Sequence, residues 1–160
     1  MFYLELFKQL ERHNVRYLLV GGLAMNLHGV PRMTMDIDII LLLDDKNLDS
    51  FIETAKAMKL TPAIPVALED ILDAGKRKQW IDEKNLIAFP LRSEDGGAPA
   101  LDVVLSHNLD MDTALKNASK KKLGDTTVLV ASIDDMIKLK QLAGRKQDLS
   151  DIEQLQRIKP

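Results

Sequence analysis

Two aspartates stand at the start of the most apolar run of the sequence, where Asp36-Ile-Asp38 leads into residues 39–43. Aspartate is uncommon in strands. Residues two apart in a strand point to the same side, with Cα atoms about 6.7 Å apart. Two carboxylates placed this way could share a hard cation, and oxygen-only ligation suits Mg²⁺ or Mn²⁺. The pair therefore predicts a metal site, with solvated side chains at a loop–strand junction as the alternative.

A third aspartate, Asp102, lies alone among the apolar residues of a second predicted strand, Ala100 to Leu105. If that strand neighbours the one that carries Asp36 and Asp38, Asp102 completes a site of three carboxylates. Such a site could hold metal ions and take the proton from an attacking hydroxyl. The alternative is an aspartate of an edge strand that faces solvent.

A glycine pair, Gly21-Gly22, ends the apolar run 16–20 and opens a predicted helix. Backbone N–H groups at such a turn, together with a helix N-terminus, can bind an anion, although most glycine pairs only make tight turns. Arg32 and Thr34 stand just before the aspartates. This clustering predicts that a phosphate, a cation and the carboxylates meet at one site.

Near the end of the chain, Lys140 falls on the apolar face of a predicted helix. A lysine in that position either extends its ammonium to solvent or meets an anion such as a triphosphate. Arg145 is a further candidate for phosphate binding, although a cation at a helix end is also favoured by the helix dipole. Asp148 and Asp151 are interpreted as helix-capping residues.

Two other features have a structural and a functional interpretation. His28 could be a catalytic base, but a packed or capping histidine is the more common case. The segment Lys76 to Trp80 combines three cations with the only tryptophan of the chain, so it could grip RNA by phosphate contacts and stacking. A solvated helix end with Trp80 packed inward is the favoured interpretation.

The elements that position these residues follow from hydrophobic periodicity. Helices are predicted up to about residue 14 and at 23–27, 44–58, 66–82 (interrupted at its middle) and 113–120. Two closing helices are predicted to begin near Ser132 and Asp148, separated by Gly144. Strands are predicted at 16–20, 36–43, 85–91, 100–105 and 126–130, with 61–65 as a proline-containing connection.

Composition limits the classes of protein that remain. The 160 residues are 46% hydrophobic and 29% charged, carry a net charge of −2 and include no cysteine. These values favour one folded domain and exclude a disulfide scaffold, thiolate metal ligation and a uniformly basic nucleic-acid surface. The first residues do not resemble a signal peptide, and no apolar run is long enough to span a membrane. We therefore expect a cytoplasmic protein that does not enter the membrane.

The segments LVGGLAMNLHG (19–29) and RMTMDID (32–38) together resemble the signature of the polymerase-β-like nucleotidyltransferase superfamily. The closest resemblance is to its small branch of AbiEii-type abortive-infection toxins, because residues 140–151 match the branch's pattern Lys-x4-Arg-x2-Asp-x2-Asp. The resemblance implies an α/β (α+β) nucleotidyltransferase fold, with a central mixed β-sheet flanked by helices. It also implies a single domain over 1–160, on which a C-terminal helical pair at 132–158 packs.

The same resemblance implies a function and roles for the candidate residues. Gly21 and Gly22 would contact nucleotide phosphates, and Asp36, Asp38 and Asp102 would hold Mg²⁺ (or Mn²⁺). The reaction would move a nucleoside monophosphate from an NTP to a hydroxyl of RNA such as tRNA, of a protein or of a small molecule. Many active members have serine where Gly22 stands, which weakens the analogy to polymerases.

Several functions stay open on the sequence alone. The protein could belong to a toxin–antitoxin pair, or be a catalytically silent binding module or antitoxin of the same fold that acts through a protein partner. A small glycosyltransferase-like enzyme is a third alternative, because Asp-x-Asp pairs also bind nucleotide sugars through a metal. The sequence does not indicate the acceptor or the oligomeric state.

Overall fold

The computed structural model describes residues 2–160, which form a seven-stranded sheet and seven α-helices. The strands are β1 (Tyr17–Val20), β2 (Ile37–Leu41), β3 (Leu60–Pro62), β4 (Ala88–Ser93), β5 (Leu101–Val104), β6 (Ser119–Leu123) and β7 (Thr126–Val130). The helices are α1 (Phe2–Arg12), α2 (Gly21–Leu27), α3 (Asp45–Ala57), α4 (Ala74–Lys84), α5 (Met111–Lys116), α6 (Ile133–Ala143) and α7 (Lys146–Ile158). A short 3₁₀ helix, Leu68–Leu72, precedes α4.

The sheet is mixed, and its strand order is β3-β4-β5-β2-β1-β7-β6. The pairs β2–β5 and β1–β7 are parallel, whereas the other neighbouring strands are antiparallel. A mixed sheet flanked by helices confirms the predicted fold class. Strand β2 is the middle strand of the seven, and β1 is its antiparallel neighbour. Gly21, which follows β1 directly, is therefore placed beside the start of β2.

The two faces of the sheet differ in how completely they are covered. On one face, Phe7 of α1 stacks on Tyr17 with ring centroids 6.1 Å apart, and Trp80 of α4 stacks on Phe89 at 5.3 Å. Side chains on this face are buried, and they include Leu19, Ile37, Ile39, Leu91, Leu101 and Val103. The opposite face of β4 and β5 is partly exposed. The main core therefore lies on one side, and the other side leaves room for a site.

Helix α6 begins and ends as its sequence predicts. The Ser132 side chain accepts a hydrogen bond from the backbone N–H of Asp135 at 3.1 Å, which caps the first turn. Gly144 ends the helix in the left-handed conformation at φ 63°. Both signals are local, so neither depends on tertiary packing.

Helix α7 begins at Lys146, two residues before the predicted start. Asp148 does cap the helix, but from inside its first turn, where it accepts a hydrogen bond from the Arg145 backbone N–H at 3.0 Å. The interpretation of Asp151 as a cap was wrong. Its carboxylate is fully buried and binds cations from other elements, as described below.

Two strands differ from the sequence-based expectation, and both lie at the edges of the sheet. β3 occupies part of the expected connection 61–65, and β6 begins at Ser119, where a helix over 113–120 was expected. An edge strand pairs on one side only, so it does not need the continuous apolar pattern of a central strand. β6 carries lysines at 120–122, which are typical of edges that avoid further pairing.

Within residues 2–160, no helix is both long enough and apolar enough to cross a membrane.

Candidate active site

Strands β2 and β5 bring two of the candidate carboxylates side by side. Their parallel register places Asp38 opposite Asp102, on the same face of the sheet. Both residues are partly buried. The expectation that the Asp102 strand neighbours the Asp38 strand is thus confirmed. Asp36 lies in a bend just before β2 and is exposed, so the Asp-x-Asp pair straddles the start of the strand.

Burial and neighbouring negative charges affect the ionisation of Asp38 and Asp102. Burial raises the pKa of Asp38 to about 6, and the negative charges of Asp102 and Asp36 add to that increase. The positive charges of Lys140 and Arg145 act in the opposite direction. Burial and the charge of Asp36 also raise the pKa of Asp102. The protein therefore leaves an excess of negative charge here, which a bound cation would relieve.

The residues present fit a hard divalent cation in their chemistry. The candidate donors are all carboxylate oxygens, the ligands that Mg²⁺ and Mn²⁺ accept most readily. In the part of the chain that the structure describes, however, no three His, Asp or Glu side chains are grouped as a ready metal site. Asp38 and Asp102 are paired in register, and Asp36 lies in the exposed bend just before β2.

The glycine pair packs closely against the segment that carries the aspartates. Gly21 has a positive φ of 73°, and a Cβ added to it would overlap Oδ2 of Asp38. A Cβ on Gly22 would lie 2.8 Å from Cβ of Thr34. Thr34 in turn donates a hydrogen bond from Oγ1 to the backbone carbonyl of Asp36 at 3.1 Å. Close packing thus accounts for both glycines, and their contact with phosphate stays a prediction.

A pocket of about 450 Å³ lies between this face of the sheet and α6. Asp38 reaches it from the sheet, and Lys140 reaches it from α6, with Arg145 and Asp148 from the start of α7. The rest of the wall is largely apolar and includes Val20, Ile40, Val104, Met136, Leu139 and Leu142. One pocket therefore combines two carboxylates, two cations and an apolar surface, a combination suited to a nucleotide.

The sequence left two alternatives for Lys140, extension of its ammonium to solvent or contact with an anion. The structure does not show extension to solvent. The Lys140 side chain is buried, and Nζ lies 2.9 Å from Oδ2 of Asp151 and 3.5 Å from Oδ1 of Asp148. Arg145 also pairs with Asp148, with Nε 2.8 Å from Oδ2. Burial would raise the pKa of each of these two aspartates, but their hydrogen bonds and the nearby cations outweigh it and lower both values. Both carboxylates are therefore ionised partners.

Arg32 is brought to the same cluster but does not line the pocket. Its Nη1 lies 2.8 Å from each carboxylate oxygen of Asp151, and the Gln147 amide donates to the same carboxylate at 3.1 Å. The sequence pattern did not indicate Asp148 and Asp151 as ion-pair partners. The available signal was Lys140 itself, because a cation on an apolar helix face needs a buried counter-charge.

A further positive charge, Arg92, lies near the carboxylates in a part of the chain that matched no motif. Arg92 of β4 lowers the pKa of Asp102 through its charge, against the larger effect of burial. Pro90 pairs with Asp102 in the register of β4 and β5. Arg92, two residues along, therefore has its side chain on the same face as Asp102.

The structural interpretations of His28 and Trp80 are confirmed. Nε2 of His28 forms a hydrogen bond with the backbone carbonyl of Ala131 at 2.7 Å, which ties the end of α2 to the end of β7. The Trp80 ring is buried against Phe89 and is not available to stack on RNA.

No protein-family model matches this chain, and no curated protein matches it either. Solved structures do match its fold. It is similar to the lincosamide antibiotic adenylyltransferase LnuA in its lincomycin-bound form, with 17% identity and a TM-score of 0.60 over 99% of this chain and 96% of that one. It is also similar to ANT(2″)-Ia in complex with adenylyl-2″-tobramycin, with 10% identity and a TM-score of 0.58 over 98% and 91%.

A third similar structure is an antigenic nucleotidyltransferase-like protein from Paracoccidioides brasiliensis. It has 19% identity and a TM-score of 0.52, over 94% of this chain and 71% of that one. At these identities the likeness shows the fold, which is that of nucleotidyltransferases. None of these three structures is named as a member of the AbiEii-type branch, and membership of that branch stays a prediction.

Proposed function

We propose that this protein is a Mg²⁺-dependent nucleotidyltransferase, which transfers a nucleoside monophosphate from an NTP to an acceptor hydroxyl. The observation that carries the proposal is the in-register pair of Asp38 and Asp102. Asp38 faces a pocket whose other wall holds Lys140 and Arg145. This arrangement occurs in a chain with the nucleotidyltransferase fold.

Each candidate residue has a distinct part in the proposed reaction. Asp36, Asp38 and Asp102 would hold Mg²⁺, which when bound neutralises charge on the phosphates. Asp102, whose pKa is raised by burial, is suited to take the proton of the acceptor hydroxyl. The hydroxyl oxygen then bonds to the α-phosphorus as the bond to the bridging oxygen breaks and pyrophosphate leaves. Lys140 and Arg145 stabilise the negative charge on the phosphates.

The acceptor is best sought first among small molecules that carry hydroxyl groups. The pocket wall is largely apolar. Of the similar structures, LnuA is bound to lincomycin, and ANT(2″)-Ia is in complex with adenylyl-2″-tobramycin. RNA, including tRNA, and protein hydroxyls are the other acceptors to test. Membership of a toxin–antitoxin pair stays a prediction. If the protein is the toxin, expression of the wild type should slow growth of the host cells, and expression of Asp38→Asn should not.

The direct test incubates the protein with labelled NTPs, Mg²⁺ and a panel of the three acceptor classes. The wild type should form a labelled product and release pyrophosphate. Asp38→Asn should lower the rate at least about a hundredfold, since it removes a proposed metal ligand. Asp112→Asn, which changes an exposed aspartate of α5, is the matched control and should retain full activity. A wild-type protein that binds no NTP in calorimetry would contradict the proposal.

One observation favours a second candidate, a catalytically silent binding module of the same fold. Within residues 2–160 the carboxylates do not form a ready three-residue metal group. A silent module would give no product with any acceptor, and its function would be unchanged by Asp38→Asn. Binding of a protein partner by the wild type and by Asp38→Asn with equal affinity would support this alternative.

A further inference from the structure

Two buried carboxylates of α7 hold the three cations of the site in different ways. Asp148 accepts hydrogen bonds from both the backbone and the side chain of Arg145. Asp151 binds Arg32 and Lys140. Both carboxylates are fully buried. Loss of a cation partner would leave a buried charge uncompensated, which is strongly destabilising.

Asp151 joins three separate parts of the molecule. Its carboxylate accepts from Arg32 in the loop before β2 at 2.8 Å, from Lys140 of α6 at 2.9 Å and from Gln147 in the first turn of α7 at 3.1 Å. Arg32 and Asp151 are 119 positions apart in sequence. The contact is therefore a tertiary connection between the loop and the C-terminal helices.

The loop that Asp151 holds is the one that presents Asp36. Its start is fixed by the backbone N–H of Arg32, which donates to Oδ1 of Asn26 at 2.6 Å. Its end is fixed by the backbone N–H of Ile37, which donates to the Ala100 carbonyl at 2.8 Å. Between these points the loop is mostly exposed, so the Arg32 side chain is its principal anchor to the C-terminal helices.

The three cations are not equivalent with respect to the pocket. Lys140 and Arg145 line it, and the Arg145 side chain is 74% exposed, so its guanidinium can reach a ligand. Arg32 does not line the pocket and has both oxygens of Asp151 as partners. Arg32 therefore connects its loop to α7 and is not placed to contact a phosphate in the pocket.

We propose that Asp151 is a positioning residue, which uses Arg32 to fix the loop of Asp36 and holds Lys140 at the pocket wall. One carboxylate thereby couples the position of a candidate metal ligand to that of a phosphate-binding cation. The part of this inference that concerns nucleotide rests on the proposed function. The part that concerns the loop does not.

The first arm of the test measures the loop directly, without nucleotide. NMR-detected hydrogen exchange follows the Arg32 and Ile37 amides, which are both hydrogen-bonded in the wild type. Arg32→Gln and Asp151→Asn should each accelerate their exchange about tenfold or more. The control is Asp134→Asn, which breaks an exposed ion pair with Lys159 and should leave both rates unchanged.

The second arm measures binding of ATP with Mg²⁺ by calorimetry, well below the unfolding temperature. Asp151→Asn should weaken binding about tenfold to a hundredfold, as changes to residues that orient ligands do. Arg32→Gln should weaken it less, because Lys140 keeps its partner. The double variant should bind no worse than Asp151→Asn, since both changes cut the same connection.

Two results would overturn the inference. One is unchanged exchange at Arg32 and Ile37 in both single variants, which would mean that the contact does not hold the loop. The other is additive loss of ATP affinity in the double variant, which would make Arg32 a direct ligand. If the wild type binds no ATP, the proposed function fails while the exchange arm still decides the role in the loop.

Discussion

Gly21, directly after β1, is the residue at which the backbone meets a candidate catalytic side chain. Its φ is 73°, and an added Cβ would overlap the Asp38 carboxylate. Gly96 has a similar φ of 68° with nothing within 4 Å of an added Cβ, so it is a matched control. We expect Gly96→Ala to cost about 1 kcal/mol and Gly21→Ala about 3 kcal/mol, measured by urea unfolding. Equal costs would show that Asp38 moves aside freely.

Asp38, a proposed metal ligand, is expected to lower the free energy of unfolding at neutral pH. Burial and the charges of Asp102 and Asp36 disfavour its ionised form, as its raised pKa indicates. Asp38→Asn should therefore raise the free energy of unfolding at neutral pH by about 1 kcal/mol, while it lowers the rate of the proposed transfer at least about a hundredfold. Asp112→Asn should change neither quantity. A loss of stability in Asp38→Asn would mean that the carboxylate has a structural partner in the fold.

Residue types and spacing were sufficient to predict that Asp38 and Asp102 lie side by side, but not which carboxylates pair with the nearby cations. Asp38 and Asp102 were recognisable because a carboxylate among apolar strand residues is unusual. The role of Asp151 was not recognisable, because its spacing in α7 is equally compatible with a cap. One of its two cation partners, Arg32, is distant in sequence, and only tertiary structure brings the two together.

At the scale of elements, α7 should make the fold sensitive to acid. The pKa of Asp148 is lowered in the folded protein, because its bonds to Arg145 outweigh burial. Its contribution to stability is therefore present above its ordinary pKa of about 4 and is lost as the pH falls below that value. Asp148→Asn should be less stable than the wild type by about 2–3 kcal/mol at pH 7.

Thermal unfolding from pH 7 to pH 3 checks this expectation. The difference between the two melting temperatures should shrink below about pH 4, as the wild-type carboxylate becomes protonated. A difference that stays constant across this range would mean that Asp148 acts by its shape or its hydrogen bonds alone.

The position of each strand in the sheet determines whether the sequence predicts it. Strands β1, β2, β5 and β7 have apolar runs because they are buried in the sheet, and caps such as Ser132 mark a helix start locally. The edge strands β3 and β6 were missed because their sequences, which include Pro62 and three lysines, do not favour a strand by themselves. Pairing with β4 and β7 determines their conformation.

At the scale of the whole molecule, the buried apolar side chains form one cluster, from Leu60 in β3 to Leu155 in α7. We therefore expect residues 1–160 to unfold as a single cooperative unit. Trp80, the only tryptophan, is buried beside β4 and reports that end of the sheet by fluorescence. Its urea transition should coincide with that of far-ultraviolet circular dichroism. Loss of helical signal before the fluorescence change would show that α6 and α7 unfold separately.

The parallel pairing of β1 with β7 has a consequence for how the protein is made. β1 and β2 leave the ribosome well before β7, the parallel partner of β1, which ends at Val130. The buried counter-charges of Arg32 and Lys140 follow later still, at 148 and 151. A nascent chain thus holds its acidic strands long before its cations are fixed in place. We expect nucleotide binding to be acquired only after residue 151 has left the exit tunnel.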